Sequence, residues 1–546
     1  MPQLFLGIEY LEAKNPEAAL PYLERAEKLN PSDAQAALSL GSAYEMLDRA
    51  NRAAEAYVRA TEIVPKNGSA WLHLGTAYLQ QVENDARLMT STYSRSPYVN
   101  LRAAETFAEQ GKLVQAESAY RAAIASPSPV PCAHAEFGIT LLRRKKPAEA
   151  REQFQLEAPG DAHCGLAPLG IAVTDLADGH ADAALKGITA IAAADPGFIQ
   201  WNLTLFRGAV SADQARALFE LAQAQQNSGD LSAQVAPLIE KAFLSDDAGS
   251  VTSFAEAELS ETVHLPSPAS AERFYAMGQY TACDQALKPA LHSLTRTQQQ
   301  LLAFCSFYTE DFRTTSMAAE RLKANPATTV QGLYWESKAD QKLAVAALNR
   351  ASEIDPDSPR MHVLIGDAFR QKRRWSDAEA EYRKAVALDP KSRAARLSLA
   401  IVLFTELKTD ESFQIDQSLL ADASDDPEAN FLAGEILIRE HEFEKAEPFL
   451  SKCQNLKPEM MPRLHVLLGK IYAATDRIPA AIREYKLGLA SDQDGSIHYQ
   501  LARLYQKTGD TAAAAEQVRI SNQLRERWDN LARVSLEQLS TDVSQQ

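Results

Sequence analysis

Apolar residues recur along most of this chain every three or four positions, the spacing of a helix with one apolar face. The helical stretches come in pairs and are separated by short turns, such as LNPSD at residues 29–33 and LDPKS at residues 388–392. Proline cannot continue a helix, so each such turn ends one pair and precedes the next. Gly and Pro number only 23 and 26 among 546 residues, too few for a turn-rich β protein. The pattern predicts an all-α protein made of helical hairpins.

Four segments place small, large and proline residues at the same intervals. In residues 34–67 these residues are Leu40-Gly41, Tyr44, Ala53, Tyr57, Ala60 and Pro65. Residues 1–33, 359–392 and 427–460 repeat the intervals and close them with Pro31, Pro390 and Pro458. Small residues at the Gly41 and Ala53 positions let two antiparallel helices approach closely, and a large residue at the Tyr57 position fills the gap between hairpins.

These segments resemble the tetratricopeptide repeat, which has a period of about 34 residues with small, aromatic and proline positions in this order. The resemblance implies a right-handed superhelical solenoid of antiparallel helical hairpins. Weaker copies bring the expected number to roughly 13 or 14 hairpins. They are residues 97–130, 131–158, 165–197, 215–246, 295–326, 325–358, 393–426, 462–494 and 495–521.

Two interruptions suggest how the chain is divided. Residues 68–78 open like a repeat, but the polar stretch 80–97 displaces the second helix. Residues 246–270 are rich in Ser, Asp and Glu and carry no clear hairpin. We therefore expect two arrays separated by a linker, with a capping helix and a frayed tail at the end. The predicted parts are an N-terminal array at 1–245 (degenerate after 80), a linker at 246–270, a C-terminal array at 271–521, a capping helix at 522–539 and a tail at 540–546.

The charge balance argues against nucleic acid and membrane surfaces as partners. The chain has 56 Lys and Arg against 72 Asp and Glu, a net charge of −16, and both surfaces are anionic. No run approaches the length of a transmembrane helix, so we expect no membrane insertion. The first residues lack a basic segment followed by an apolar one, which favours a cytoplasmic protein. Because the repeat is already in phase at Leu6-Gly7, an exported protein whose signal is missing from this sequence is the alternative.

Motifs of catalysis and cofactor binding are absent from the sequence. It contains no G-x-x-x-x-G-K-[ST], G-x-G-x-x-G, G-x-S-x-G or H-E-x-x-H, and helical hairpins consume nearly all of its length. We therefore predict a protein that is not an enzyme and has no cofactor. The five cysteines form no C-x-x-C pair, and an odd, sparse count is typical of buried thiols in a reducing compartment.

One group of residues has the composition of a structural zinc site. Cys132, His134, His163 and Cys164 supply two thiols and two imidazoles and flank one repeat. However, His134 takes a position that the repeat gives to a bulky core residue, and the C-x-H spacing is unusual for zinc. The favoured interpretation is ordinary core residues without a metal. A Cys132–Cys164 disulfide in an oxidising compartment is a further alternative.

The resemblance also implies a binding groove, because the first helix of each tetratricopeptide hairpin lines the concave face. In the C-terminal array the groove positions hold Arg360, Asp367, Arg370, Phe404, Phe431, Glu435, Arg439, Arg463, Lys470, Tyr499, Arg503 and Lys507. Basic residues outnumber acidic ones here, although the chain is acidic. We hypothesise that this strip binds an acidic peptide segment, with Phe404, Phe431 and Tyr499 as apolar anchors. The alternative is a set of solvated helix faces.

The leading prediction is a non-enzymatic scaffold or adaptor that binds peptide segments of partner proteins. A regulatory or substrate-recruiting subunit of an enzyme complex, for example one that contains a glycosyltransferase, is the alternative. The co-chaperone carboxylate clamp of this family is not expected, because its Lys and Asn positions hold residues such as Leu38 and Ser42. The sequence leaves the partner, the pathway and the oligomeric state open.

Overall fold

The structure, a computed structural model, describes residues 2–126, 130–157, 164–228, 234–245 and 267–543. These residues form twenty-nine α-helices and no β-strand, so the predicted all-α architecture of helical hairpins is confirmed. The chain divides into two compact units, residues 1–354 and 355–546. Each unit is described by itself below.

Unit 1 begins with two regular hairpins followed by a long helix. The helices are α1 (Pro2–Glu12), α2 (Pro16–Leu29), α3 (Ala34–Met46), α4 (Ala50–Ile63) and α5 (Gly68–Thr92). Within each hairpin a glycine of the first helix faces a large side chain of the second. A Cβ atom on Gly7 would lie 2.5 Å from Leu23 Cγ, and one on Gly41 would lie 2.6 Å from Tyr57 Cζ. The small and large positions of the repeat are therefore one contact seen from its two sides.

Thirteen shorter helices follow in the described part of residues 93–328. They are α6 (Pro97–Glu109), α7 (Leu113–Ile124), α8 (Ala133–Arg143), α9 (Pro147–Glu157), α10 (Leu166–Ala177), α11 (Ala181–Ala194), α12 (Pro196–Asn202), α13 (Ala212–Ser228), α14 (Val235–Phe243), α15 (Ala271–Ala276), α16 (Tyr280–Leu287), α17 (Arg296–Tyr308) and α18 (Phe312–Lys323). One apolar core runs through them from Met89 to Trp335. These helices form a single module, which we call the insert.

The predicted division at residues 246–270 is not where the structure divides the chain. Residues 246–266 lie outside the described residues, but helices on both sides of them pack together. The rings of Phe198 and Tyr280 have centroids 5.1 Å apart, and Asn202 Nδ2 donates a hydrogen bond of 2.8 Å to the carbonyl of Tyr308. Residues 271–354 therefore belong to unit 1, because their apolar faces complete its core.

The last helix of unit 1 also differs from the prediction. Residues 325–358 were expected to form a hairpin, but Thr329–Ile354 is one helix of 26 residues, α19. It packs antiparallel to α5: Gly75 faces Leu348, and Gln81 Nε2 donates to Glu336 Oε2 at 3.4 Å. A Cβ atom on Gly75 would lie 2.6 Å from Leu348 Cγ. This is the contact of the regular hairpins, so α5 and α19 are the two helices of one repeat.

The repeat that opens at residue 68 is thus split, and the insert stands between its two helices. The first half of α19 belongs to the insert, since Tyr334 and Trp335 lie in its core. Tyr334 also donates a hydrogen bond of 2.5 Å to Glu105 of α6. The second half of α19 completes the repeat with α5. The polar stretch 80–97 does not displace a second helix; most of it extends α5 by several turns to Thr92.

Unit 2 consists of five successive hairpins. Its helices are α20 (Pro359–Gln371), α21 (Trp375–Leu388), α22 (Arg393–Thr405), α23 (Thr409–Asp422), α24 (Pro427–Arg439), α25 (Phe443–Leu450), α26 (Met461–Ala474), α27 (Ile478–Leu487), α28 (Ser496–Lys507) and α29 (Thr511–Val543). The predicted capping helix at 522–539 is not separate, because α29 contains no glycine or proline that would end it near residue 521. The expected tail begins inside the same helix, and residues 544–546 lie outside the described residues.

The α22–α23 hairpin of unit 2 departs from the packing rule. Gly366, Gly434 and Gly469 face Tyr382, Leu450 and Tyr485. In the α22–α23 hairpin the matching positions hold Ala400 and Asp416. Asp416 is fully buried, and neither carboxylate oxygen has a hydrogen-bond partner among the described residues. Burial, with a smaller contribution from Asp426, raises the pKa of Asp416 to about 8.

Replacing Asp416 by leucine, the residue at the equivalent position 450, is expected to stabilise unit 2. Between about pH 4 and pH 8 the unfolded state loses the Asp416 proton that the folded state keeps, so stability falls as the pH rises. Asp416→Leu removes this dependence and raises the free energy of unfolding at pH 8 by about 2 kcal/mol or more. Urea titrations at pH 5 and pH 8 measure both effects. The same pH slope in both proteins would contradict the assignment.

Candidate functional site

A surface depression of unit 2 gathers half of the predicted groove residues. It is lined by Phe404, Glu435, Arg439, Arg463, Lys470 and Arg503, all from the prediction, and by Ile438, His441, Phe443, Leu467, Ala473, Tyr485 and Gln500. We call this surface the basic depression. Its side chains come from α22, α24, α25, α26, α27 and α28 and from the turn after α24. Arg360, Asp367, Arg370, Phe431, Tyr499 and Lys507 do not line it.

The predicted apolar anchors are corrected for two of the three aromatic residues. Phe404 and Phe431 are only 8% and 3% exposed, because both rings pack into the cores of their hairpins. The guanidinium of Arg439 lies 3.5 Å from the centroid of Phe404 and donates to the Phe404 carbonyl at 2.8 Å. Tyr499, at 46% exposed, is the anchor that keeps a free ring surface.

Charges in the basic depression are only partly neutralised within the protein. Arg463 forms an ion pair of 2.5 Å with Glu435. Burial raises the pKa of Glu435 above its ordinary value, although Arg463, Arg439 and Lys470 act in the opposite direction. Neither Lys470 nor Arg503 has an ion-pair or hydrogen-bond partner for its side chain among the described residues. The depression therefore presents two uncommitted cations, Lys470 and Arg503. A third cation, Arg463, is paired with the carboxylate of Glu435.

Several other predicted residues are held in contacts of their own. Asp367 accepts hydrogen bonds from the Tyr382 hydroxyl at 2.7 Å and from Arg370 at 3.2 Å. Lys507 pairs with Asp476 at 2.5 Å. These side chains are held in contacts within the repeats.

Some residues of the depression were missed because only the first helix of each hairpin was considered. Tyr485 of α27 lies on the second helix of its hairpin, yet it also lines the depression with 2% of its surface exposed. His441 lies in the turn after α24 with a φ of 61°, and such a turn carried no signal of binding. Gln500 is the immediate neighbour of the predicted Tyr499. It could have been found if the positions beside the predicted groove positions of each first helix had been included.

The candidate zinc ligands are arranged differently from a metal site. Cys132 and Cys164 form a disulfide with a Cα–Cα distance of 5.3 Å, and their sulfurs are therefore not thiolate ligands. His134 Nδ1 lies 2.8 Å from Gln153 Oε1, and His163 lies outside the described residues. Across the described part of the chain, no three His, Cys, Asp or Glu side chains are grouped so that they could hold a metal ion.

The prediction of buried free thiols is wrong for four of the five cysteines. Besides Cys132 and Cys164, Cys283 of α16 and Cys305 of α17 form a disulfide with a Cα–Cα distance of 6.1 Å. A Cys132–Cys164 disulfide was among the alternatives drawn from the sequence, whereas a separation of 22 residues gave no sign of the Cys283–Cys305 pair. Cys453 is a free thiol and is buried, as expected.

Comparison with known protein families agrees with the register of the hairpins. The tetratricopeptide repeat family matches residues 6–67, 340–393 and 363–421. The chain contains tetratricopeptide repeats in these segments. The second matched segment begins at Asp340, inside α19. The tetratricopeptide pattern therefore resumes where α19 stops packing on the insert and begins to pack on α5. None of the described helices combines the length and the apolar character needed to span a membrane.

Individual relatives of this chain are distant. It is 28% identical over 141 residues to the human protein O-mannosyl-transferase TMTC3, a match that covers 26% of this chain and 14% of that protein. Among solved structures, MamA from Desulfovibrio magneticus RS-1 is 16% identical, with 32% of this chain and 98% of that chain covered and a TM-score of 0.29. The tetratricopeptide protein TTC0263 of Thermus thermophilus is 18% identical, with the same coverage and a TM-score of 0.27.

The pairing of the cysteines predicts a definite peptide map. Digestion without reduction should yield the linked peptides Cys132–Cys164 and Cys283–Cys305, and only Cys453 should be alkylated after denaturation. Mass spectrometry of protein purified with free thiols blocked at lysis provides the measurement. Five alkylated cysteines in such a sample, or linkage between other pairs, would refute the assignment.

Proposed function

We propose that this protein is a non-enzymatic scaffold that binds acidic peptide segments of partner proteins in the basic depression. The observation that carries the proposal is the pair of uncommitted cations, Lys470 and Arg503, on a chain whose net charge is −16. An acidic chain that concentrates cations on one surface has a lower electrostatic cost for binding carboxylates there than elsewhere. The partner is expected to be a protein, and no nucleic acid is invoked.

The neighbouring contacts suggest how such a peptide would be held. Carboxylates of the peptide would accept charge-assisted hydrogen bonds from Lys470 and Arg503, which fixes the register of the peptide. Ile438 and Phe443, which are only partly buried, supply apolar surface in the same depression. The exposed ring of Tyr499 extends this surface along α28 and suits an apolar residue of the same peptide.

A second candidate is a regulatory or substrate-recruiting subunit of an enzyme complex. The similarity to a protein named O-mannosyl-transferase favours it, although this chain spans only 14% of that relative. Under this proposal the acidic segment belongs to an enzyme or to its substrate, and a transferase should purify with the protein.

The two disulfides are relevant to the cellular compartment of the protein. Disulfides persist in oxidising compartments and are rare in the cytosol. We therefore infer that the exported alternative suits the protein better than the cytoplasmic one.

A random peptide library selected on the full-length protein tests the peptide-binding proposal. Wild-type protein should enrich sequences with two or more Asp or Glu residues near an apolar residue. The double variant Lys470→Glu/Arg503→Glu should lose this enrichment, and an enriched peptide should bind it at least tenfold more weakly at about 0.1 M salt, because two attractions become repulsions.

Lys457→Glu is the matched control, since Lys457 is an exposed lysine of unit 2 outside the depression. It should bind the enriched peptide as the wild type does. An equal loss of peptide binding in Lys457→Glu would reject the proposal. So would enrichment, by the wild type, of peptides without acidic residues.

A further inference from the structure

Unit 1 contains a second cleft whose chemistry is opposite to that of the basic depression. Four helices form it: α4 and α5 of the repeats, α18 of the insert, and α19. It is lined by Asn51, Ala54, Glu55, Val58, Arg59, Tyr78, Gln81, Arg313, Ser316, Met317, Glu320, Glu336, Asp340 and Leu343, and it has a volume of about 320 Å³. A cleft of this size can take a long side chain or a small ligand. It exists because the insert returns α18 alongside the split repeat.

Two polar groups at the floor of this cleft are almost completely buried. Asp340 is 3% exposed, and its Oδ1 accepts a hydrogen bond of 2.9 Å from Ser316. Tyr78 is 9% exposed, and its hydroxyl has no hydrogen-bond partner among the described residues. This hydroxyl is therefore available to accept a hydrogen bond from a ligand in the cleft.

The charges around the floor favour a cation. Glu320 has no ion-pair partner among the described residues, and Glu336 is paired with Lys323 behind the floor. The two arginines of the lining are held by acids outside it, Arg59 by Glu27 at 2.7 Å and Arg313 by Glu62 at 2.9 Å. The positive charges are therefore already neutralised, whereas Asp340 and Glu320 are not.

The walls of the cleft are apolar between these charged groups. Val58 of α4 and Leu343 of α19 contribute aliphatic surface, and Met317 of α18 is a largely exposed apolar side chain at the rim. An inorganic cation gains nothing from such walls. A ligand with a hydrocarbon stem and a charged tip matches both the walls and the floor.

We propose that this cleft binds an aliphatic ammonium group. The stem lies between Val58 and Leu343, and the ammonium donates hydrogen bonds to the carboxylate of Asp340 and the hydroxyl of Tyr78. The group is either a lysine side chain of a partner protein or a free polyamine, since both present an ammonium on a chain of methylenes.

The pKa of Asp340 fits this assignment. Burial, followed by the neighbouring Glu336, raises the pKa of Asp340 well above its ordinary value. An ammonium in the cleft would act in the opposite direction and favour the ionised form. The other titratable and charged groups that face Asp340 or line the cleft are Glu55 and Arg59 of α4, Tyr78 and Asp85 of α5, Arg313, Glu320 and Lys323 of α18, and Glu336 of α19.

Isothermal titration calorimetry on the full-length protein tests the proposal with three probes. Nα-acetyl-lysine amide and spermidine carry the ammonium, and Nα-acetyl-norleucine amide is the uncharged analogue. At least one cationic probe should bind at least tenfold more tightly than the norleucine analogue. Tighter binding of the lysine derivative identifies a partner's lysine as the source, and tighter binding of spermidine identifies a free polyamine.

Two variants locate the binding. Asp340→Asn should weaken the better cationic probe at least tenfold, and Tyr78→Phe about threefold, with thermal melting used to confirm that both fold. Asp284→Asn is the matched control, because Asp284 is a buried aspartate of unit 1 outside the cleft, and it should leave binding unchanged. Absence of binding by both cationic probes at millimolar concentration, equal binding of the norleucine analogue, or unchanged binding by Asp340→Asn would overturn the proposal.

Discussion

The contact between Gly75 of α5 and Leu348 of α19 is the constraint on which unit 1 depends. It joins two helices that are far apart in sequence, yet it has the geometry of the regular hairpins, where Gly41 receives the ring of Tyr57. A glycine is required because any Cβ atom would overlap the opposing side chain. Closing this one repeat brings the two ends of the insert together and fixes where the insert begins and ends.

The dual role of α19 explains the polar interior of unit 1. Its first half faces the insert, where Lys338 donates to Glu105 at 2.8 Å and to Glu136 at 3.0 Å. The ammonium also lies 4.6 Å from the centroid of Phe307. Burial raises the pKa of Glu136 to about 8. Burial acts in the same direction on Glu105, but Lys338 and Arg102 hold the pKa of that carboxyl below its ordinary value. A buried cluster of this kind is costly if a partner is lost, which ties the register of α19 to the insert.

Local features of the fold could be predicted from the sequence, and distant pairings could not. The hairpins at residues 34–67 and 359–392 were found because both helices lie within one period of the pattern. The opening of a repeat at residues 68–78 was also recognised, but its second helix lies in residues 340–354, beyond any spacing that the period suggests. The Cys283–Cys305 pair was missed for the same reason, since a spacing in sequence does not give a distance in space. In the basic depression, the register of the first helices predicts Lys470 and Arg503 on one surface, whereas the burial of Phe404 and Phe431 depends on how neighbouring helices pack.

The pairing of α5 with α19 is tested most directly by a double-mutant cycle on Gly75 and Leu348. Gly75→Ala should lower the free energy of unfolding of unit 1 by about 2 kcal/mol, because the new methyl group overlaps Leu348. In a Leu348→Ala background the same substitution should cost less than about 1 kcal/mol, since the overlap is gone. The four free energies come from urea titrations in which hydrogen exchange of the α5 amides reports unfolding. An equal loss in both backgrounds would mean that the two residues do not touch and that α5 and α19 are not one hairpin.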